Sequence, residues 1–299
     1  VDRLGYGDCK ALSNFTKSLL DAAGIESIYT LVDAGDNPRA IDPDFTIPNF
    51  NHVILCVPNK GDTLWLECTS QTNPFGYMGS FTGDRDVLLV TEDGGKIVHT
   101  PVYKESDNLQ VRKANVTLSV DGTADINVKT SYHGLKYEMN NLNFIVDGGE
   151  VAQKGWISQN TQLPNFSLND FSITMEKGPI PVATVSSGYK SSKYARPTGK
   201  RLFFGANLMN RVESIPKEVD DRKTDFIQNK SFTEIDSIEY KFEGNYNFEY
   251  IPEGVSLESK FGKYKSQLIK GEGRMLYVRE FVLVKGRYLP EDYEKAAGI

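Results

Sequence analysis

Three side chains near the start of the chain have the types that nucleophilic catalysis requires: Cys9, His52 and Glu67. Asp8 is a good helix N-cap, and the helical pattern after it predicts that Cys9 lies in the first turn of a helix. There the helix dipole and the unpaired backbone N–H groups favour the thiolate, and one N–H can stabilise an oxyanion. The alternative is a buried thiol that serves only in packing, as most cysteines do.

His52 and Glu67 lie in two apolar runs, His52–Val57 and Thr63–Thr69, which predict a β-hairpin. A four-residue loop, Pro58–Gly61, sets His52 directly opposite Glu67, whereas a two-residue loop shifts the pairing by one step but keeps the same faces. A carboxylate within an apolar strand is costly to desolvate unless it has a partner. The sequence therefore predicts a His52–Glu67 pair.

A nucleophile at a helix N-terminus, a base on one strand and an orienting carboxylate on the next match the triad logic of a thiol acyl transferase or peptidase. In this interpretation Cys9 attacks a carboxamide or peptide carbonyl, His52 moves the proton and Glu67 fixes the imidazole tautomer. Cys56 shares the predicted face of His52 whereas Cys68 points the other way, which disfavours a disulfide between them. We expect three free thiols.

The elements that must position these residues predict a mixed α/β first part. Residues from Cys9 to about Ala23 have helical spacing, and Gly24 ends the helix. The remaining expected elements are a strand at Ile25–Val32, a loop at Asp33–Asn49, and strands at Asp86–Thr91 and Lys96–Val102.

From about Lys104 onward, alternating apolar residues and turn residues dominate, which predicts an antiparallel β-sandwich. A short helix is expected at Gly149–Gln159. Besides the alternating segments around Asp121-Gly122-Thr123, strands are expected at Ser172–Glu176, Val182–Ser186, Ser237–Phe242, Gly254–Ser259 and Met275–Val284.

Composition excludes several other classes of protein. The 299 residues carry a net charge of −6 without a run of Lys or Arg, which argues against nucleic-acid binding. Mean hydropathy is −0.40, and no apolar stretch approaches the length of a membrane helix. Three cysteines without a CxxC pair argue against a disulfide scaffold or a zinc site, and we expect no cofactor or metal. His99 and His133 are interpreted as ordinary surface or loop residues.

Several motifs carry a resemblance to the core of the transglutaminase-like superfamily. That core has a Gly-x-Cys helix start, a strand that begins with His, and a strand that ends near Asp-x-Thr. The matching segments of this sequence are Gly5-Tyr6-Gly7-Asp8-Cys9-Lys10, Asn51-His52-Val53-Ile54 and Trp65-Leu66-Glu67-Cys68-Thr69. Glu67 stands where the superfamily usually has Asp.

Further motifs resemble a subgroup found in bacterial cell-envelope proteins, in which β-rich domains of unknown function flank the core. Two of them follow the triad, Pro74-Phe75-Gly76 and Gly83-Asp84-Arg85. Two others are similar to the C-terminal domain of that subgroup, Phe261-Gly262-Lys263-Tyr264 and Tyr288-Leu289-Pro290-x-x-Tyr293.

The resemblance implies an α+β chain: a partial transglutaminase-like (papain-like) core in residues 1–103 and a β-sandwich domain of unknown function in residues 104–299. Only eight residues precede Cys9. We therefore expect a core that is N-terminally incomplete, without the helix and second oxyanion donor that such domains place upstream.

The resemblance also implies a peptide or protein substrate, a periplasmic or cell-surface location and an upstream β-rich domain in the parent protein. Cys9, His52 and Glu67 are the expected catalytic residues, and no membrane insertion is expected of this chain. The alternative function is a non-catalytic cell-envelope binding or assembly module with a relic triad. A degenerate site would normally have lost one of the three residues, so their joint presence favours chemistry in the parent protein.

Overall fold

The structure is a computed structural model that describes residues 1–45, 49–211, 222–293 and 295. Residues 46–48 of the predicted Asp33–Asn49 loop lie outside the described residues. The described chain is mostly β-structure with few helices, an α+β fold with several sheets. It divides into two compact units, residues 1–103 with 176–181 and residues 104–175 with 182–299.

No helix in the described ranges has both the length and the apolar character needed to cross a membrane.

The first unit contains a five-stranded sheet in the order β3-β2-β1-β4-β5, in which every pairing is antiparallel. Its elements are α1 (Cys9–Ala22), β1 (Ile28–Val32), β2 (His52–Asn59), β3 (Asp62–Leu66), α2 (Gly79–Thr82), β4 (Asp86–Thr91) and β5 (Gly94–His99). The predicted strand Ile25–Val32 is therefore shorter than expected and begins at Ile28.

Helix α1 begins at Cys9, as its sequence predicts. The Asp8 carboxylate caps it by accepting a hydrogen bond of 2.8 Å from the amide of Ala11, one of the donors that the first turn leaves without a helical partner. At the other end Gly24 adopts a φ of +72°, the left-handed conformation that closes many helices and that glycine adopts without steric cost.

The hairpin of β2 and β3 has the shorter of the two turns considered above, with two residues instead of four. Asn59 pairs with Asp62, so Lys60 and Gly61 alone form the turn. If this register is continued, His52 lies opposite Thr69 and Glu67 lies opposite Ile54. The pairing is therefore shifted by two residues from a direct His52–Glu67 pair. The face assignment is unaffected, because the shift in pairing is an even number of residues.

One face of this sheet forms a small apolar core. Alternate residues of β1 to β4 lie there and are joined by Met78 from the segment before α2. The buried members of this core are Val32, Ile54, Cys56, Trp65, Met78, Val87 and Leu89. His52, two residues before Ile54 on β2, belongs to the same face, and so the site borders this core.

The second unit is built on an eight-stranded sheet in the order β14-β15-β16-β13-β6-β7-β9-β8. Its strands are β6 (Leu109–Leu118), β7 (Ala124–His133), β8 (Phe166–Glu176), β9 (Val182–Ser191), β13 (Phe232–Phe242), β14 (Val255–Ser259), β15 (Gly262–Gly271) and β16 (Arg274–Leu283). Two small sheets pair β10 (Arg196–Thr198) with β11 (Arg201–Phe203), and β12 (Phe226–Gln228) with β17 (Gly286–Tyr288). The helices are α3 (Leu135–Met139), α4 (Leu142–Ile145), α5 (Gly149–Gln159) and a 3₁₀ turn at Pro290–Asp292.

The antiparallel β-sandwich expected for residues 104–299 is wrong in two respects. Across the described ranges the long strands form one sheet rather than two, and β6 runs parallel to β13. Helical residues cover the face on which a second sheet would pack, because Tyr137, Leu142 and Ile157 are buried in the same core as Val116 and Ile126 of the sheet. The predicted helix at Gly149–Gln159 is confirmed as α5.

Candidate active site

The structure joins His52 and Glu67 by a buried hydrogen bond. Nε2 of His52 lies 2.9 Å from Oε2 of Glu67, and the two side chains are only 9% and 5% exposed. His52 is the first residue of β2 and Glu67 directly follows β3, so neighbouring strands supply the two groups. With Nε2 directed at the carboxylate, Nδ1 remains the ring atom available for proton transfer.

Thr69 completes the surroundings of the carboxylate. Its hydroxyl and its backbone N–H both donate to Oε1 of Glu67, at 2.5 and 2.9 Å. Burial alone would raise the pKa of Glu67, but the hydrogen bonds from His52 and Thr69 outweigh it, and the pKa is lowered. Glu67 is therefore held as a carboxylate, the form that can orient an imidazole.

An aromatic ring also packs against the imidazole. The ring of Phe81, in α2, lies edge-on to His52 with centroids 5.2 Å apart, and Phe81 is 48% exposed. Phe81 therefore limits rotation of the imidazole while half of its own surface faces solvent.

Cys9 is the first residue of α1, where the sequence predicts it. Four residues further along the helix, Ser13 donates a hydrogen bond of 3.2 Å from its buried hydroxyl to the backbone oxygen of Val53, the neighbour of His52. Residues four apart share one face of a helix and lie about 6 Å apart along its axis. This bond joins α1 to β2 one residue after His52, about one helical turn from Cys9.

Contact between the thiol and the imidazole is not made in this structure. Among the described residues, Cys9 forms no hydrogen bond to His52 through its sulfur atom. Tyr29 on β1 lies near the start of α1, and its pKa is raised mainly by burial and further by electrostatic interaction with Cys9 and Asp8. Catalytic hydrogen bonds in unliganded sites are often long and tighten only when substrate binds.

The other two thiols differ from Cys9 in their surroundings. All three cysteines are free. Burial raises the pKa of Cys56, which lies in the apolar core of the sheet. Burial also raises the pKa of Cys68, and hydrogen bonds with Thr16 and Ser13 only partly oppose it. Both thiols are therefore held in the unreactive protonated form near neutral pH.

Sequence reasoning missed three residues around His52. Thr69 stood on the predicted face of Glu67, and the spacing Glu-x-Thr was the available signal for its role. Phe81 had no signal, since it lies outside every motif. Arg85 belonged to a quoted motif, but nothing in the sequence indicated its partners, which are four backbone carbonyl oxygens.

His99 is exposed, as the sequence predicts, but it has two acidic partners that the sequence analysis missed. Its Nδ1 lies 2.8 Å from Asp86 and its Nε2 lies 3.2 Å from Asp84, and hydrogen bonding to Asp86 is the main reason that its pKa is raised. These acids were overlooked because the β4–β5 pairing, not the spacing in sequence, brings Asp86 opposite His99. His133 contacts the hydroxyl of Ser131. Within the described ranges, no group of three or more His, Cys, Asp or Glu residues has a geometry suited to a metal ion.

Part of the chain is similar to a described domain family. The family model of a domain of unknown function, DUF3858, matches residues 200–296, which is 97 of the 299 residues. DUF3858 is a transglutaminase-associated domain family. No curated protein sequence matches the chain significantly.

A solved structure is similar over the whole length of this chain. It is a crystal structure from Parabacteroides distasonis described as a "putative protease", with 12% sequence identity and a TM-score of 0.50. The match covers 100% of this chain and 42% of that protein, so this chain spans less than half of the protein it resembles. At this level of identity the likeness concerns the fold alone.

Proposed function

We propose that residues 1–103 form a transglutaminase-like core, and that the protein catalyses thiol-dependent acyl transfer on a peptide or carboxamide. The observation that carries the proposal is the buried His52–Glu67 hydrogen bond, because it fixes the imidazole tautomer and leaves Nδ1 for proton transfer. Helix α1, which holds Cys9 at its start, contacts β2 at Val53 beside His52.

In the proposed reaction Cys9 Sγ attacks the carbonyl carbon while His52 accepts the thiol proton. The carbon–nitrogen bond then breaks, the proton passes from His52 to the leaving amine or ammonia, and a thioester remains on Cys9. Attack by water gives a peptidase or amidase, and attack by an amine gives a cross-linking enzyme. Either acceptor restores the thiol.

Stabilisation of the oxyanion is assigned to the start of α1. Asp8 caps the amide of Ala11, and in the described chain the amide of Cys9 donates to no other group. An amide N–H at a helix N-terminus that is aimed at developing negative charge is a typical oxyanion donor.

The proposal extends to the protein's surroundings. From the resemblance to cell-envelope proteins we infer a periplasmic or surface location, a peptide or protein substrate, and an upstream β-rich domain in the parent protein. Fractionation of cells that express the full-length gene product tests the location, and recovery of the protein only with the cytoplasmic fraction would overturn it.

Thiol labelling tests the chemistry. The protein is treated with iodoacetamide at about pH 6, and each cysteine is quantified by mass spectrometry over time. We expect Cys9 to react at least tenfold faster than Cys56 and Cys68, which serve as internal controls because burial raises their pKa values. The substitution His52→Ala should remove this preference.

Turnover of a glutamine-containing peptide in the presence of a labelled primary amine then separates the two acceptors, because only transfer to the amine incorporates the label whereas transfer to water gives the free acid. Cys9→Ser is the inactive control. Equal, slow labelling of all three thiols together with no turnover would support the alternative, a non-catalytic cell-envelope module.

A further inference from the structure

Arg85 is a buried cation close to the candidate site that the proposed chemistry does not use. It is 7% exposed, and its guanidinium donates to four backbone carbonyl oxygens. Nε binds Gly83 at 3.0 Å, one terminal nitrogen binds Asp33 at 2.7 Å and Gly35 at 2.9 Å, and the other binds Ser80 at 2.6 Å. Four of the five guanidinium N–H groups therefore hold main chain.

Two of these carbonyl oxygens, those of Asp33 and Gly35, belong to the segment that continues from β1, the strand that pairs with His52. Val32, the last residue of β1, pairs with His52, and Asp33 follows it directly. The next residue, Ala34, exchanges two hydrogen bonds with the side-chain amide of Asn51, the residue before His52, at 2.7 and 3.0 Å. Arg85 thus holds the backbone that borders His52 on one side.

The other two carbonyl oxygens belong to α2 and its end, which present Phe81 to the imidazole. Ser80 and Gly83 flank Phe81 in sequence, and the amide of Gly35 donates to the backbone oxygen of Phe81 at 2.9 Å. Gly83 must be glycine here, because a Cβ would collide with the backbone oxygen of Gly79. Arg85, the 33–35 segment and α2 therefore form one bonded unit around the ring contact between Phe81 and His52.

We propose that Arg85 is a positioning residue for His52. By joining these two segments it fixes both the backbone at His52 and the ring of Phe81, so that the imidazole keeps the orientation in which Nε2 meets Glu67. Proton transfer tolerates displacements of only a fraction of an ångström, so a fixed imidazole would favour catalysis. This benefit rests on the proposed function, whereas the orientation of the His52 ring can be measured without any activity.

The type of residue matters in this arrangement. A lysine offers three donors from a single nitrogen and cannot bind four carbonyl oxygens of two backbone segments in the way that a planar guanidinium does. Arg85→Lys preserves the positive charge but loses most of the hydrogen bonds to the carbonyl oxygens. The substitution therefore distinguishes an effect of the charge from an effect of these hydrogen bonds. Phe81→Leu leaves the Arg85 contacts in place and removes only the ring that packs on His52.

The test follows the ring N–H of His52, observed by nitrogen-15 NMR in the full 299-residue chain. We expect Arg85→Lys to speed exchange of the Nε2 proton with water about tenfold or more, because a less fixed imidazole opens its bond to Glu67 more often. Phe81→Leu should have the same effect in a protein of nearly unchanged thermal stability. Arg112→Lys, at another buried arginine in the second unit, is the matched control and should leave this signal unchanged.

An unchanged exchange rate in both Arg85→Lys and Phe81→Leu overturns the proposal, and it assigns Arg85 to stability alone. If Arg85→Lys does not fold, Phe81→Leu decides. The readout requires no reactive thiol, so a negative labelling result for Cys9 would refute the proposed function without affecting this measurement.

Discussion

Thr69 donates two hydrogen bonds to a single oxygen of Glu67, one from its hydroxyl at 2.5 Å and one from its backbone amide at 2.9 Å. The other carboxylate oxygen is left for His52. Thr69, two residues further along the chain, thus fixes one oxygen of the carboxylate, and the other oxygen faces the imidazole. Orientation of His52 depends on Thr69 as well as on Glu67.

Replacing Thr69 by valine should loosen this arrangement. Thr69→Val keeps the shape and the backbone amide but removes one donor to a buried carboxylate, which typically costs about 1 to 3 kcal/mol. Chemical denaturation at pH 7 measures the loss. Thr63→Val, at an exposed position of β3, is the control and should change stability by less than about 0.5 kcal/mol. Equal effects of the two substitutions would contradict the role given to Thr69.

The lowered pKa of Glu67 predicts a specific dependence of stability on pH. A carboxyl group with a lowered pKa in the folded state stabilises the protein above its unfolded pKa of about 4.3 and loses that contribution as the pH falls through the folded value. Glu67→Gln should therefore cost about 1.5 to 3 kcal/mol at pH 7. The gap to the unsubstituted protein should narrow steadily below about pH 4.3.

Unfolding free energies measured between pH 3 and pH 7 test this dependence, with the exposed Glu92→Gln as control. A gap of constant size across that range would show that Glu67 is not held as a carboxylate by its partners.

Local signals in the sequence predicted the elements that carry Cys9, His52 and Glu67. The Asp8 cap identified the start of α1, and the alternation of side chains placed His52 and Glu67 on one face of the hairpin. The register was harder to predict, because Pro58 suggested a loop. It is accommodated in β2 because pairing with β1 ends at Cys56, so no neighbouring strand on that side requires the amide that proline lacks.

The pairing of strands that are far apart in sequence could not be predicted. Strands β6 and β13 are more than a hundred residues apart in sequence and run parallel, and alternation within each strand is the same for either direction. Arg85 shows the same limitation at the site. Its partners are backbone oxygens of Asp33, Gly35, Ser80 and Gly83, which carry no side-chain signature.

His99 should make the first unit slightly more stable at acidic pH. Its pKa is raised, mainly by the hydrogen bond to Asp86 and further by Asp84, although burial opposes this. A histidine with a raised folded pKa gives its full contribution below about pH 6.5 and loses it as the pH rises through the folded value. Because the ring is 47% exposed, we expect less than about 1 kcal/mol.

Thermal unfolding of His99→Gln between pH 5.5 and pH 8.5 measures this contribution. The difference in stability from the unsubstituted protein should be largest at the acidic end of this range. Asp86→Asn should also lower stability most at acidic pH, because it removes the main partner of the protonated ring. A difference that grows with rising pH would show that the neutral ring, not the protonated one, is favoured by the fold.

Asp236 supports a buried charge cluster on the sheet of the second unit. The residue is 2% exposed and accepts hydrogen bonds from Arg279 at 2.9 Å and from Arg112 at 3.3 Å. The side-chain amide nitrogen of Asn210 donates to both of its carboxylate oxygens, at 2.9 and 3.1 Å. Glu234 also binds Arg279, at 3.0 Å. If Asp236 loses its charge, Arg279 therefore keeps Glu234 as an ion-pair partner, whereas Arg112 loses the carboxylate with which it pairs.

Asp236→Asn should lower the free energy of unfolding by about 3 to 5 kcal/mol, since it leaves a buried guanidinium uncompensated while side-chain volume is unchanged. Glu239→Gln is the matched control, because Glu239 lies on the same strand and pairs with the exposed Arg274 and Lys241. Surface pairs of that kind contribute about 1 kcal/mol or less. Denaturation of both variants at pH 7 compares them directly, and a loss of less than 1 kcal/mol at Asp236 would mean that water reaches Arg112 and compensates for the missing charge.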